Sequence, residues 1–127
     1  MDSWPINKPL VEQSARGLGV RVGGAKPDIT PDSNGNVYPN GDGMSVAPFT
    51  PLNLLPHRRP PEFGGNGPDP VWCINSTWID ANDRLQFRQD SLTHGNIEPN
   101  RRMSLEDYRG ALAETQLLWT HVKKWPF

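Results

Sequence analysis

The strongest pattern in the sequence is helical. Leu105, Tyr108, Leu112, Thr115, Trp119 and Val122 recur at steps of three or four residues, the spacing of one face of an α-helix. Ser104-Leu-Glu-Asp107 stands directly at the start of this run and has the form of a helix-initiating capping box. Together they predict an amphipathic C-terminal helix of about 17 residues packed on a sheet. His121, Lys123 and Lys124 suit the negative end of its dipole.

Upstream the period changes to two. Leu85, Phe87 and Gln89 fall on one side, and Arg84, Gln86, Arg88 and Asp90 on the other, as in a half-buried strand. Val71 to Ile79 reads VWCINSTWI, bulky and rich in strand formers, and predicts a buried strand. Asn82-Asp83 predicts a turn, and His94 to Pro99 a further short strand. In the first half, Pro9 opens a predicted short helix to Arg16 that Gly17 ends. Leu18, Val20 and Val22 alternate with Gly19, Arg21 and Gly23 as in a strand, and residues 24–35 read as loop. Asn36–Tyr38 and Met44–Ala47 are short and extended, joined by Pro-Asn-Gly-Asp-Gly, strong turn chemistry. From Pro48 to Pro70 the prolines, among them Pro60-Pro61, and the run Gly64-Gly65-Asn66-Gly67 forbid a regular helix or central strand. A loop of that length in a small domain is functional or disordered.

Composition sharpens this division. Fourteen prolines and twelve glycines in 127 residues approach the composition of disordered chains. A net charge of −1 and five tryptophans oppose that reading, because disordered chains are charged and poor in aromatics. All but four of the prolines and glycines precede Val71, and four of the tryptophans follow it. The core therefore belongs to the second half, within a single domain spanning 1–127. No apolar run of about 18 residues predicts a membrane span, and the N-terminal residues lack the pattern of a secretory signal. Balanced charge gives no general field for nucleic acid. The lone Cys73 excludes an intrachain disulfide and a cysteine zinc cluster; in its apolar run it reads as an inert core thiol.

Candidate chemistry is sparse. The glycines from Gly17 to Gly24 fail as a dinucleotide loop, because their spacing is wrong and no strand precedes them. His57-Arg58-Arg59 is either a solvated loop tip or an anion clamp, since arginine offers a fork of donors matched to phosphate. His94 and Glu98 are either part of a surface turn or a titratable ring held by a carboxylate. No GxSxG motif is present, and histidines at 57, 94 and 121 lack metal-ligand spacing, so no metal is expected.

Several motifs resemble a known family in order and spacing. They are Pro27-Asp28-Ile29, Gly35-Asn-Val-Tyr38-Pro39, Gly41-Asp-Gly-Met-Ser45-Val46, the run Leu85 to Ser91, His94, and the segment Leu105 to Trp119. They resemble the bacterial toxin called type VI secretion exported effector two, one of the ADP-ribosyltransferase-like toxins. The resemblance implies an α+β fold, a small split β-sandwich with flanking helices that grips NAD, as substrate, in its cleft. It implies a cytotoxic transferase acting in the cytoplasm on a target molecule, paired with an immunity protein that occludes the cleft. Ser45 and His94 match family positions. Tyr38 is placed to stack on nicotinamide and Gln89 to line the pocket. Arg58 or Arg59 is assigned to the diphosphate from charge, and Glu98 to the ribose by analogy with transferases that use a glutamate. The family opens with a strand bearing a Tyr-Arg pair, and nothing before Pro9 reads as that strand: either the strand is missing, or another residue, with Arg16 or Arg21 as candidates, does its work. Two other readings stand beside the toxin: an inactive nucleotide-binding relative, and a Pro-rich module that docks a partner in extended form.

Overall fold

The computed structural model describes residues 2–5, 20, 22, 27–48 and 71–122. The architecture is α+β. In chain order the elements are β1 (Asp2–Pro5), β2 (Asn36–Val37), β3 (Met44–Pro48), β4 (Val71–Asn75), α1 (Ser76–Asp80), β5 (Leu85–Gln89), β6 (Gly95–Pro99), β7 (Met103–Ser104), α2 (Leu105–Glu114) and β8 (Thr120–Val122). Six strands form one sheet in the order β5-β6-β3-β1-β4-β8, and β2 pairs with β7 in a second. Every neighbouring pair is antiparallel.

A strand does precede Pro9, against the alternative that none would. β1 lies inside the sheet, with Trp4 opposite Ala47 of β3 and Ser3 opposite Ile74 of β4. Four residues ending in proline give too short a pattern to register as a strand in the sequence. Partners on both sides make it one. Its sequence, Asp-Ser-Trp-Pro, carries no Tyr-Arg pair.

The predicted strand from Val71 ends early, at Asn75. The Asn75 carboxamide oxygen accepts from the Thr77 amide at 2.9 Å and the Thr77 hydroxyl at 2.7 Å. This is helix capping, and it turns Ser76–Asp80 into α1. Asp80 in turn accepts from the Phe87 amide at 2.9 Å, which blunts the outer edge of β5.

The predicted long helix is also shorter. Ser104 caps it as expected, accepting from the Asp107 amide at 3.0 Å. At Thr115 the side chain joins its own amide, which donates to the Leu112 carbonyl at 3.1 Å, on that one acceptor. Its hydroxyl donates to the Leu112 carbonyl at 2.7 Å and accepts from the Trp119 indole at 2.9 Å. Such local bonding competes with helix continuation. A 3-10 turn, Gln116–Leu118, follows, and then β8. His121 therefore lies in a strand; Lys123 and Lys124 lie outside the described residues.

One apolar core joins the two sheets. Met44, Val46, Ile74, Leu85 and Ile97 of the large sheet cluster with Val37, Met103, Tyr108, Ala111 and Leu112. Val20 is fully buried and Val22 packs against the same cluster, but neither lies in the strand expected there. The extended pieces at 36–37 and 44–48 form β2 and β3, each pairing with other strands rather than with one another. The expected helix Pro9–Arg16 lies outside the described residues, as does the Pro-rich stretch from residue 49 onward.

Candidate active site

The core takes one face of the large sheet, and the other face holds the chemistry. Directly opposed residues of an antiparallel pair share a face, and successive residues alternate. Arg88 opposes Asn96, and Asn96 opposes Ser45. These three form a polar row across β5, β6 and β3. Gln86 opposes Glu98 one step along, on the same face. At the hairpin end of this face stand Asp90 and His94.

Hydrogen bonds link these residues into one network. The His94 ring nitrogen Nδ1 lies 2.8 and 3.0 Å from the two Asp90 carboxylate oxygens. The Asn96 amide donates to the Gly41 carbonyl at 2.8 Å and lies 3.5 Å from Asp90 Oδ2. The Gly41 amide donates to Glu98 Oε2 at 2.8 Å. Glu98 Oε1 accepts from Gln86 Nε2 at 2.7 Å and from Arg88 Nε at 2.6 Å. The Gly41 peptide is the middle link, accepting at one end and donating at the other. It does so at φ +94°, where glycine avoids the clash other residues meet.

Glu98 is 0% exposed, yet every donor it needs is supplied, as a buried charge requires. The expected pairing of Glu98 with His94 is corrected: Asp90 holds the ring. The reason is geometric. The carboxylate of Glu98 is taken by β5 and the Gly41 turn, whereas Asp90 and His94 close the same hairpin, with the Asp90 amide donating to the His94 carbonyl at 3.2 Å.

The fold thus brings Ser45, His94 and Glu98 to one face. Gln89 lies on the opposite face with Leu85 and Phe87, and its amide donates to the Ser91 carbonyl at 2.9 Å. It points to the core side, as its alternation predicted, and so away from Ser45. Tyr38 precedes the Gly41 turn, and its hydroxyl donates to Asp32 Oδ2. That bond holds the Asp32 carboxyl below the ordinary carboxylate range and raises the Tyr38 phenol above its own. Arg58 and Arg59 lie outside the described residues.

Arg88, Asp90 and Asn96 were missed as site residues. Their signal was present: Gln86, Arg88 and Asp90 alternate on the polar side of β5, and His94, Asn96 and Glu98 alternate along β6. Read separately, each set looks like a solvated strand face. Paired in register, they make one surface.

Among the described residues no group of three or more His, Cys, Asp or Glu side chains is placed to hold a metal, and no helix is long and apolar enough to cross a membrane. No curated protein matches the chain. A family model described as Tse2 ADP-ribosyltransferase toxin matches residues 4–121.

Proposed function

Because the chain belongs to the Tse2 ADP-ribosyltransferase toxin family, we propose that it is a toxin that cleaves NAD over the polar face of β3, β5 and β6. One observation carries this reading: Arg88, Asn96 and Ser45 stand in a single cross-strand row, flanked by the Asp90–His94 pair and anchored by Glu98 beneath. The two sheets are read as the family's split sandwich.

ADP-ribosyltransferases use NAD as substrate, and breaking its nicotinamide–ribose bond develops positive charge at the sugar, as in glycoside cleavage. Such a reaction needs orientation and preplaced polar groups more than a strong nucleophile. Ser45 offers a hydroxyl at the centre of the row. Asp90 fixes the His94 ring through Nδ1, which leaves Nε2 to receive a proton from the acceptor molecule. Glu98 lends negative charge from below the surface and keeps Gly41 and Arg88 in place. Tyr38, just before the Gly41 turn, is the residue proposed to stack on nicotinamide. NAD is an intracellular metabolite, so the toxin acts in the cytoplasm, and a protein that covers this face would act as its immunity partner.

The burial of Glu98 favours a second reading, a relative that binds the nucleotide without turning it over. Two measurements separate the readings. Purified protein incubated with NAD and an extract of target cells is expected to release nicotinamide. Induced expression is expected to arrest growth, with Ser45→Ala and His94→Ala each restoring it. Vigorous growth with soluble wild-type protein and no nicotinamide release would sink the transferase reading.

A further inference from the structure

We infer that Arg88 is the anion-binding residue of this face, and that its ligand is the diphosphate of a nucleotide. The inference builds on the reading of the face as a nucleotide site.

Arg88 is half exposed, with 50% of its side-chain surface accessible, while its Nε donates to Glu98 Oε1 at 2.6 Å. The far end of that bond is fixed. Glu98 is wholly buried and is also held by Gln86 at 2.7 Å and by the Gly41 amide at 2.8 Å. An arginine held through Nε has its guanidinium plane set by the carboxylate. Its two terminal nitrogens then keep their N–H groups for another partner. Among the described residues, none is found on those terminal nitrogens. A fork presented in this way matches two oxygens of a phosphate group. The holding bond also means that little side-chain freedom is left to lose on binding.

Charge on the face is arranged to permit this. Two carboxylates lie near Arg88, and both are already answered. Glu98 accepts from three donors, and both oxygens of Asp90 face the His94 ring nitrogen. The rest of the row, Asn96 and Ser45, is neutral and polar, suited to the sugar beside a phosphate. The cation of the face comes from β5, two strands beyond β3 in the sheet order.

The test is calorimetric titration of the full chain with ADP, adenosine and NAD. The wild type is expected to bind ADP well and adenosine far more weakly. Arg88→Gln is expected to weaken ADP at least about tenfold and leave adenosine unchanged. ADP affinity should fall with added salt in the wild type and hardly at all in the variant. Arg88→Gln leaves Glu98 buried with less compensation, so the double variant Arg88→Gln/Glu98→Gln is measured as well. It removes both charges, and the same loss of ADP is expected in a chain whose circular dichroism is unchanged. Undiminished ADP affinity in that folded double variant overturns the inference, as does a loss that appears in Arg58→Gln/Arg59→Gln instead. Arg88-dependent binding of ADP without binding of NAD would leave the anion site standing and remove NAD as its ligand. A wild type that binds neither overturns both.

Discussion

The Asp32–Tyr38 contact is a small switch of charge beside the Gly41 turn. Asp32 Oδ1 accepts from the amides of Asn34 and Asn36, each at 2.9 Å, and Oδ2 takes the Tyr38 hydroxyl. The Asp32 carboxyl is thereby lowered, so its contribution is present above about pH 4 and is lost as the pH falls through its folded value. The Tyr38 phenol is raised, chiefly by the same bond, so its contribution is present below about pH 10 and is lost as the pH climbs through the raised value. Burial raises Tyr108, the second of two tyrosines, even further. An alkaline titration followed by ultraviolet difference absorbance is therefore expected to show both tyrosines ionising above the ordinary phenol range. In Asp32→Asn the first tyrosine should titrate at a lower pH and the second should not move. A titration curve unchanged by Asp32→Asn would show that the contact is absent in solution.

At the scale of elements, the junction between β3, β6 and α2 is the tightest point described. The Tyr108 hydroxyl from α2 donates to the Ile97 carbonyl and accepts from the Met44 amide at 3.1 Å. Gly43 enters this junction with no room to spare. A Cβ there would meet the Ile97 carbonyl oxygen at 2.3 Å and the Tyr108 hydroxyl at 2.9 Å. Gly43→Ala is expected to destabilise the chain by about 1–3 kcal/mol, seen as a lower urea midpoint with little change in slope. An unchanged midpoint would mean that the strands separate there at no cost.

This junction also shows what the sequence can and cannot convey. The periodicity from Leu105 located Tyr108 and Leu112 as core residues, and Ser104 as the cap, because those signals are local. Its continuation to Thr115 and Trp119 was true of burial, since both are buried. It was misleading about helix, since the Thr115 amide and hydroxyl both occupy the Leu112 carbonyl that the next turn would need. The alternation in β5 sorted Gln89 from Arg88 correctly. What alternation alone lacks is register, and register decides which polar residues become neighbours. Asp90 rather than Glu98 reached His94 for that reason. The family motifs around Ser45 and His94 did point to one surface. Alternation places Arg88 on the polar side of β5, but only the register of β5 with β6 sets it beside Asn96 and Glu98.

In the molecule as a whole, β1 joins the two parts of the large sheet. In the sheet order it stands between the block β5-β6-β3, which bears the polar face, and the pair β4-β8. Within the described sheet it makes the hydrogen-bonded connection between those blocks. Removal of residues 1–5 is expected to lower the melting temperature sharply and to broaden the transition as the two blocks lose their common unfolding. A truncated chain that melts as sharply and as high as the full one would show that packing alone unites them. The placement of β1 has a temporal consequence too. Its partners Pro48 and Ile74 lie in the middle of the chain, and β4 is completed by β8, which lies far downstream. Pairings of such long sequence separation must close large loops before they are rewarded. Helix α2 and the β5–β6 hairpin, being local, can form early and wait. The β5–β6 part of the polar face is then assembled before β3, β1 and β4 dock on it, and slower steps should close those longer loops.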